Sequence, residues 1–436
     1  MRIRRIYDDP PSVRRRNLFN WNSTGQMALN PLTLFLNGEQ GVWYDPSDFS
    51  TMFQDSAGTT PVTAVEQPVG KILDKSGRGN HATQATSTKR PVLSARVNLL
   101  TKTEDFSDVV WVKRSNCVVT PNQGPAGYTD LDQIVNTVSG GNASGVFNPN
   151  TGLAAANANL TLSVTLATLV GEASVIIKIA PYSGGAVNVQ STVTATTTPT
   201  VFTLTGTIGS GALGNVFAEI SPAVANVPFL AGRVSLVQTN QASLPYQWVD
   251  TATSYNTTGF PHYLYFDGVD DALATSAVDF TATDKMTVFA GVRKLSDAAR
   301  GMVVELSATT ASNNGSFALT APNSVAGNYA FESKGTVLTD AIAATYTSPI
   351  TSVVTGIGSI AADSNIIRVN GAQIDSDTGD QGTGNYGNYP IYIGSRGGTS
   401  VPLKAHIYSL IVRGAESAAT QIVSAETYVN SKTGAY

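Results

Sequence analysis

The chain has 436 residues, enough for two or three domains, and only 13% of them are charged. Its net charge of −4 argues against binding nucleic acid through bulk charge. One cysteine, Cys117, excludes a framework of disulfides within the chain, and no run of about eighteen apolar residues predicts a membrane-spanning helix. The abundant Gly, Thr, Ser, Ala and Asn favour strands and turns, so we expect an all-β protein without nucleic-acid or membrane partners.

Residues 1–36 are predicted to form an extended N-terminal arm. Six arginines lie in it, and Pro10 and Pro11 prevent a continuous helix. Such a segment is either a solvated tail or a segment that orders on a partner, and its apolar residues favour the second alternative. Because arginine pairs bidentately with carboxylates, we interpret the arm as an anchor for an acidic face of another protein. The anchoring residues would be Arg2, Arg4, Arg5, Arg14, Arg15, Arg16, Phe19 and Trp21.

The next two regions differ in the regularity of their strand patterns. Residues 37–94 hold short strand candidates, Gly41–Tyr44 and Lys71–Leu73, separated by turns. In residues 95–248 the pattern is more regular, and Leu160–Leu166 alternates Leu and Val with Thr and Ser, which predicts a strand with one buried face. The further strands predicted there are Val175–Ile179, Thr200–Thr205 and Arg233–Val237.

Residues 249–436 again predict strands, followed by one helix over Ala415–Val429, where Ile422, Ala425 and Val429 form a modest apolar stripe. The strand candidates are Tyr263–Phe266, Met286–Arg293, Met302–Leu306, Ser316–Leu319, Asn328–Glu332, Ser352–Ile360, Asn365–Val369, Ile391–Ile393 and Ala405–Arg413.

The three β regions suggest two alternative domain arrangements. Residues 37–94 are too few for a stable sandwich of their own, so we expect them to combine with residues 249–436 into one domain. Residues 95–248 would then be a second domain inserted into the first. The alternative is a tandem array of three independent modules.

Several motifs resemble known families. The loop with Asp74, Ser76, Gly77, Gly79, Asn80 and Ala82 and the runs FPHYLYFDGVDDAL (260–273), YPIYIGSRGG (389–398) and KAHIYSLIVRG (404–414) resemble concanavalin A-like (laminin-G-like) lectin domains of tailed-bacteriophage structural proteins. The opening NLL-x₃-EDFS-x₃-W (98–111) resembles the start of family 4/9-type carbohydrate-binding jelly rolls. The resemblance implies a concanavalin A-like β-sandwich with an inserted jelly-roll β-sandwich of eight to nine strands, the arm and a short C-terminal helix.

Two kinds of binding residue follow from these patterns. Asp267, Asp270 and Asp271 supply the clustered oxygens that calcium prefers, and the lectin resemblance allows a structural calcium; the alternative is an ordinary turn after a strand. No other cofactor is expected, because the three histidines have no metal or triad spacing. The aromatic residues proposed as sugar platforms are Tyr386, Tyr389 and Trp43, with core packing as the alternative for Trp43.

No catalytic residue is predicted. Glycoside hydrolysis needs two converging acids, whereas Glu305 and Glu332 are lone acids on their strands. We therefore expect a non-enzymatic virion structural protein, a fibre, spike or decoration subunit. It would attach through the arm to other virion proteins, form a homo-oligomer and contact host surface polysaccharide. The alternatives are a carbohydrate-binding host-recognition adhesin and a glycan depolymerase.

Overall fold

The computed structural model describes residues 20–21, 27–114, 116–139, 144–151, 159–181, 189–208, 215–323 and 327–436. Strands dominate these residues, and one α-helix, α1 (Ala419–Thr433), lies near the C-terminus. The strands are β1 (Asn20–Trp21), β2 (Met27–Ala28), β3 (Gly41–Tyr44), β4 (Met52–Phe53), β5 (Lys71–Ile72), β6 (Ala82–Thr83), β7 (Val92–Ser94), β8 (Val112–Lys113), β9 (Cys117–Thr120), β10 (Asp132–Asn136), β11 (Val146–Thr151), β12 (Asn159–Ala167), β13 (Ala173–Pro181), β14 (Val189–Ala195), β15 (Thr200–Thr207), β16 (Asn215–Pro222), β17 (Phe229–Gln238), β18 (Val249–Thr251), β19 (Ser254–Tyr255), β20 (Tyr263–Asp267), β21 (Leu273–Asp279), β22 (Lys285–Lys294), β23 (Met302–Leu306), β24 (Ser316–Thr320), β25 (Tyr329–Lys334), β26 (Leu338–Ala343), β27 (Ile350–Ser359), β28 (Ser364–Val369), β29 (Ala372–Asp377), β30 (Asn388–Ile393) and β31 (Lys404–Arg413).

Strands from both ends of the chain form one pair of sheets, which we call the split sandwich. Its eight-stranded sheet has the order β29-β28-β27-β22-β31-β20-β7, with β3 also paired to β31. Its nine-stranded sheet has the order β26-β25-β24-β23-β30-β21-β6-β5-β4. Ser94 of β7 pairs with Tyr263 of β20, so the chain leaves and re-enters this sandwich on neighbouring strands.

The strands between these points form a second pair of sheets, the middle sandwich. One sheet, which we call the groove sheet, has the order β15-β12-β17-β10-β9, and the opposite sheet has the order β14-β13-β16-β11-β8. Each sheet contains five strands. The middle sandwich therefore has one or two strands more than the eight to nine that the sequence predicts. The all-β fold class, a sandwich with an inserted jelly-roll sandwich and a short C-terminal helix, is confirmed.

The split sandwich has a core between its sheets and a second apolar layer outside the eight-stranded sheet. Alternate residues of β22 such as Val288 and Val292 face the core, whereas Phe289 faces outward into a cluster with Val429 of α1. Gly291 lies under the helix, and a Cβ atom there would come within 2.6 Å of the Thr433 side chain. The bare glycine backbone thus lets α1 approach the sheet.

The expected boundary of the arm at residue 36 differs from the structure. The 3-10 helix Pro31–Phe35 buries Leu34 and Phe35 in the cluster beneath α1. Arg413 Nε also donates to the Leu34 carbonyl at 2.8 Å. These residues belong to the split sandwich because their apolar side chains complete its outer layer.

The DKSGRGN loop has a structural role. Asp74 accepts hydrogen bonds from the backbone N–H groups of Trp43 at 2.9 Å, Ser76 at 2.8 Å and Asn80 at 3.1 Å. The Asn80 side chain in turn donates to the Gly41 carbonyl at 2.8 Å. The loop therefore ties its own turn to the edge of β3.

The opening motif of the middle sandwich closes one end of its core. Trp111 is fully buried, its ring centroid lies 4.4 Å from that of Phe106, and its Nε1 donates to the Lys102 carbonyl. Asn98, also fully buried, donates to the Val234 carbonyl on β17. The motif residues are thus framework residues of this sandwich.

The secondary-structure predictions fail mainly at element ends and in short edge strands. The helix lies at Ala419–Thr433, four residues later than expected at both ends. Six strands of the split sandwich, β4, β6, β7, β21, β26 and β29, were not predicted. The residues of β29 are mostly exposed, so its sequence AQIDSD lacks an apolar alternation.

Candidate functional site

A groove crosses the outer face of the groove sheet. On β12 the residues Leu162 and Val164 face the core, so Ser163 between them faces outward. Ser163 pairs with Thr203 on β15 and with Ser235 on β17. Because directly paired residues share one face of a sheet, the three hydroxyl groups form a row across neighbouring strands.

Aromatic and apolar side chains complete the groove, which has a volume of about 390 Å³. Tyr128, Tyr246 and Phe260 line it. The Tyr246 hydroxyl is hydrogen-bonded to the Thr103 hydroxyl at 2.7 Å, which fixes the orientation of its ring. Val201 on edge strand β15 is 63% exposed, so the groove is open to solvent along β15.

Arg233, the charged residue that lines the groove, is paired. Arg233 Nε lies 2.7 Å from Asp130 Oδ2, and its Nη2 lies 2.8 Å from Oδ1, so the pair is bidentate. The guanidinium also lies 4.5 Å from the centre of the Tyr128 ring. Arg233 adopts a left-handed backbone conformation (φ 47°). Burial, and then the charge of Asp130, raise the pKa of the nearby Glu104.

The structure buries two of the three expected sugar platforms, which corrects that prediction. Tyr386 is fully buried, and its hydroxyl is hydrogen-bonded to Ser333 at 2.7 Å. Trp43 is 8% exposed because Lys75 and Tyr428 cover it, with the Lys75 Nζ 4.6 Å from the ring centre. Tyr389 is half-buried and packs against the core of the split sandwich. None of the three lines the groove.

Glu305 and Glu332 are brought together on the outer face of the nine-stranded sheet, although they are distant in sequence. Thr310 bridges them, donating from its N–H to Glu305 at 2.7 Å and from its hydroxyl to Glu332 at 2.9 Å. Arg396 pairs with Glu305 at 3.0 Å, and Arg300 pairs with Glu332. Both carboxylates are buried, and these partners hold them in fixed orientations.

The carboxylates of Asp267, Asp270 and Asp271 lie within 4.8 Å of one another at the C-terminal end of β20. Their donor set fits calcium, which takes carboxylate oxygens. They also shape the turn, since Asp267 accepts from the Val269 N–H at 2.7 Å and Asp271 accepts from the Asp267 N–H at 3.0 Å. Burial, together with the two neighbouring aspartates, raises the pKa of Asp271 to about 7.

Most of the predicted anchoring residues lie outside the residues that the structure describes. The arginines of the arm and Phe19 lie outside the described residues, and only the backbone of Trp21 is described, in β1. Among the residues that the structure describes, no helix is both long and apolar enough to cross a membrane.

Sequence reasoning missed the groove. Its signal was present in the alternation of Leu160–Leu166, whose polar positions are Thr161, Ser163 and Thr165. The alternation predicts a strand with one outward polar face, but it does not indicate what that face binds. Tyr128 and Tyr246 carried no local signal, because tertiary contacts bring them to the groove.

Comparisons with known proteins identify no family. No family model matches the sequence, and no curated protein matches it. Among solved structures, the Ruminococcus gnavus IT-sialidase CBM40 bound to α2,3-sialyllactose is 17% identical with a TM-score of 0.27, covering 34% of this chain and 95% of that one. The botulinum neurotoxin serotype D binding domain is 13% identical with a TM-score of 0.30, covering 38% of this chain and 42% of that one.

The NanB sialidase from Streptococcus pneumoniae is 12% identical with a TM-score of 0.28, covering 36% of this chain and 27% of that one. The present chain therefore spans less than half of the neurotoxin and NanB chains. At these TM-scores and identities the likenesses carry no argument about ligand or activity. The observed architecture itself defines the class, an all-β protein built from two β-sandwiches, one inserted into the other.

Proposed function

We propose that this protein is a non-enzymatic carbohydrate-binding protein and that the groove of the middle sandwich is its binding site. The observation that carries the proposal is the hydroxyl row Thr203–Ser163–Ser235 in a groove that Tyr128 and Tyr246 also line. Hydroxyl groups both donate and accept, so they match the hydroxyl groups of a sugar. Tyrosine rings supply apolar surface with a polar tip, which suits the two faces of a sugar ring.

The size and charge of the groove favour a sugar over other ligands. Its volume of about 390 Å³ lies within the usual range of small-molecule sites, roughly 300 to 1,000 Å³. Its one lining cation, Arg233, is already paired with Asp130, so the groove offers no free charge to an ionic ligand. A hydroxyl-rich, neutral segment of a glycan is the ligand that these groups satisfy best.

The non-enzymatic part of the proposal rests on the pairing of the acids. Asp130 is held by Arg233, and Glu305 and Glu332 are each held by an arginine on the other sandwich. Glycoside hydrolysis requires one acid able to donate a proton and a second carboxylate across the scissile bond. Glu104, whose pKa is raised beside Asp130, is the residue to test for the competing depolymerase function.

A bacteriophage virion location is a further part of the proposal. It rests on the resemblance of the sequence to virion proteins and on the arginines of residues 1–36. Many copies assembled on a particle would bind a host polysaccharide through avidity even where one groove binds weakly. Attachment of the purified chain to particles, with and without residues 1–19, tests this part separately.

Binding of the full chain to an array of neutral and acidic oligosaccharides tests the groove. The double variant Ser163→Ala/Thr203→Val removes two hydroxyls and should weaken binding at least tenfold, because the sugar loses two hydrogen-bond partners of about 1 kcal/mol each. Tyr128→Ala should weaken it similarly. The control Thr194→Val makes the same type of change at an exposed position of β14 and should bind normally.

Two results would overturn the proposal. The first is that the folded, unaltered chain retains no glycan on the array. The second is that the groove variants bind as well as the control does. Release of oligosaccharides from host glycan that Glu104→Gln abolishes would replace the binding function with a hydrolytic one.

A further inference from the structure

A second pocket lies where the two sandwiches meet. It has a volume of about 400 Å³ and is lined by Tyr263, Tyr265, Arg293 and His406 from the outer face of the eight-stranded sheet. Arg96, from the segment that enters the middle sandwich, forms part of another wall. We call it the junction pocket. It shares the lining residue Asn98 with the groove, but Arg293 and His406 line only the junction pocket of these two.

Arg293 is the unusual residue of the junction pocket. It is 2% exposed, its Nη1 donates to Gln241 Oε1 at a long 3.4 Å, and its Nε has no hydrogen-bond partner. Within the described parts of the chain, no carboxylate forms an ion pair with it. A buried charge without a partner opposes folding, so its presence requires an explanation.

Another buried arginine, Arg413, and the partly buried Arg396 are both paired with carboxylates. Arg413 lies 2.7 Å from Glu39, and Arg396 lies 3.0 Å from Glu305. Arg413 also donates to the Leu34 carbonyl and to the Ser417 hydroxyl. These two guanidinium groups thus each have a carboxylate partner. Arg293, which lines the junction pocket, has no carboxylate partner among the described residues.

The neighbours of Arg293 do not supply the missing negative charge. His406 stacks on Tyr263 with ring centroids 3.7 Å apart, and its Nδ1 has no hydrogen-bond partner. Burial, and then the charge of Arg293, hold the pKa of His406 well below its ordinary value, so the imidazole is neutral. His406 therefore offers the pocket a second unused polar atom without balancing the guanidinium.

The whole lining carries an excess of positive charge. Two guanidinium groups, those of Arg96 and Arg293, and one carboxylate, that of Glu66, line the pocket. The Glu66 carboxylate already accepts hydrogen bonds from the hydroxyls of Tyr255 and of Ser94, the latter at 2.7 Å. Arg96 is held by carbonyl oxygens such as that of Leu99 at 3.0 Å. One positive charge, at Arg293, is left for a ligand.

We propose that the junction pocket binds an oxyanion of a small ligand, paired with the guanidinium of Arg293. Carboxylate and phosphate groups both match the planar fork of arginine and would accept its unused N–H groups. Tyr265, which is partly exposed, adds a ring surface for the rest of the ligand. A carboxylate on a sugar ring and a free phosphate share this chemistry, and the experiment below separates them.

The test measures binding to the full chain by calorimetry and by the shift in Tm. The probes are glucuronate, glucose as the same ring without the carboxylate, and inorganic phosphate, at matched ionic strength. Glucuronate or phosphate should bind saturably, and glucose should not. Binding of glucuronate assigns the site to acidic sugars, and binding of phosphate without glucuronate assigns it to phosphate.

Variants locate the site. Arg293→Gln should weaken binding at least tenfold, and Arg293→Lys should retain part of it, since the charge remains but the fork is lost. Because Arg293→Gln also removes an uncompensated buried charge, its Tm without ligand should not fall, unlike that of a variant that loses a structural ion pair. Thr253→Trp leaves Arg293 in place, fills the pocket and should also weaken binding. Arg90→Gln removes a guanidinium elsewhere and should bind normally.

The proposal is overturned if no oxyanion binds saturably to the folded chain, or if Arg293→Gln and Thr253→Trp bind as tightly as Arg90→Gln does. A large fall in the ligand-free Tm of Arg293→Gln would likewise overturn it, because Arg293 would then be structural. Loss of glycan binding in the groove variants leaves these outcomes unchanged, so the two proposals fail separately.

Discussion

The two sandwiches share an architecture and differ in what covers the outer faces of their sheets. On the split sandwich, α1 and the Pro31–Phe35 turn cover part of the eight-stranded sheet, and Glu305 and Glu332 on the nine-stranded sheet are buried among arginines and Thr310. On the middle sandwich, the groove sheet presents Ser163 and its paired hydroxyls to solvent.

The difference shows that fold class alone does not locate binding in this protein. The lectin resemblance lies in the split sandwich, yet its candidate aromatic platforms Tyr386 and Trp43 are buried there. The two proposed binding sites lie where a sheet face is left open and where the two sandwiches meet around Arg293. Function must therefore be argued from the individual sites.

The largest expected effect comes from separating the two sandwiches. Replacing residues 96–247 by a short linker should leave a folded split sandwich, because the chain crosses between the sandwiches at one place. There the Gln247 side chain accepts from the Val97 N–H at 2.7 Å and donates to the Ala95 carbonyl at 2.9 Å. Circular dichroism and a single cooperative melting transition check this. An insoluble product would show that the sandwiches fold as one unit.

Truncation of the N-terminus tests where the split sandwich begins. Deleting residues 1–36 removes buried Leu34 and Phe35 and should lower the free energy of unfolding by about 3 to 6 kcal/mol, at about 1.5 to 3 per buried side chain. Deleting residues 1–19 is the control and should leave denaturant unfolding unchanged, while abolishing attachment to particles. Equal stability of the two truncated chains would contradict the structural role of Leu34 and Phe35.

Glu305→Gln tests the closed face of the nine-stranded sheet. It removes the buried charge that pairs with the partly buried Arg396, so we expect a loss of about 3 kcal/mol in the free energy of unfolding, measured by denaturant titration. Glu416→Gln breaks the exposed pair with Lys285 and should cost less than about 1 kcal/mol. If Glu305→Gln left stability intact but abolished release of oligosaccharides from host glycan, this face would be an active site.

The smallest effect is expected at the aspartate turn. Because the pKa of Asp271 is raised to about 7 in the folded protein, its ionisation opposes folding progressively as the pH rises from about 4 to about 7. Asp271→Asn should therefore raise Tm at pH 8 and leave it nearly unchanged near pH 4. A variant that melts lower than the unaltered chain at pH 8 would contradict this.

The same variant separates the two interpretations of the cluster. If calcium chloride raises the Tm of the unaltered protein but not that of Asp271→Asn, then Asp267, Asp270 and Asp271 bind calcium. If it raises neither, the aspartates serve the turn.

Local sequence patterns determined the strands and the fold class. The alternation in Leu160–Leu166 predicted β12, and the apolar run of Met302–Leu306 predicted β23 with both ends correct. These patterns repeat over a few residues, and burial on one face is enough to produce them. The short, largely exposed β29 escaped prediction because its residues carry no such pattern.

Tertiary structure alone decided the sites. Tyr386 lies in a Gly- and Asn-rich loop, a context that favours exposure. Its side chain nevertheless points into the core, where its hydroxyl is hydrogen-bonded to the Ser333 hydroxyl. Thr310 is hydrogen-bonded to both Glu305 and Glu332, which lie on strands that are distant in sequence. In the same way, the fold places Gln241 and no carboxylate of the described residues beside Arg293. The physical reason is that burial is encoded residue by residue, whereas the partner of a buried polar group is supplied by whichever strand the fold places beside it.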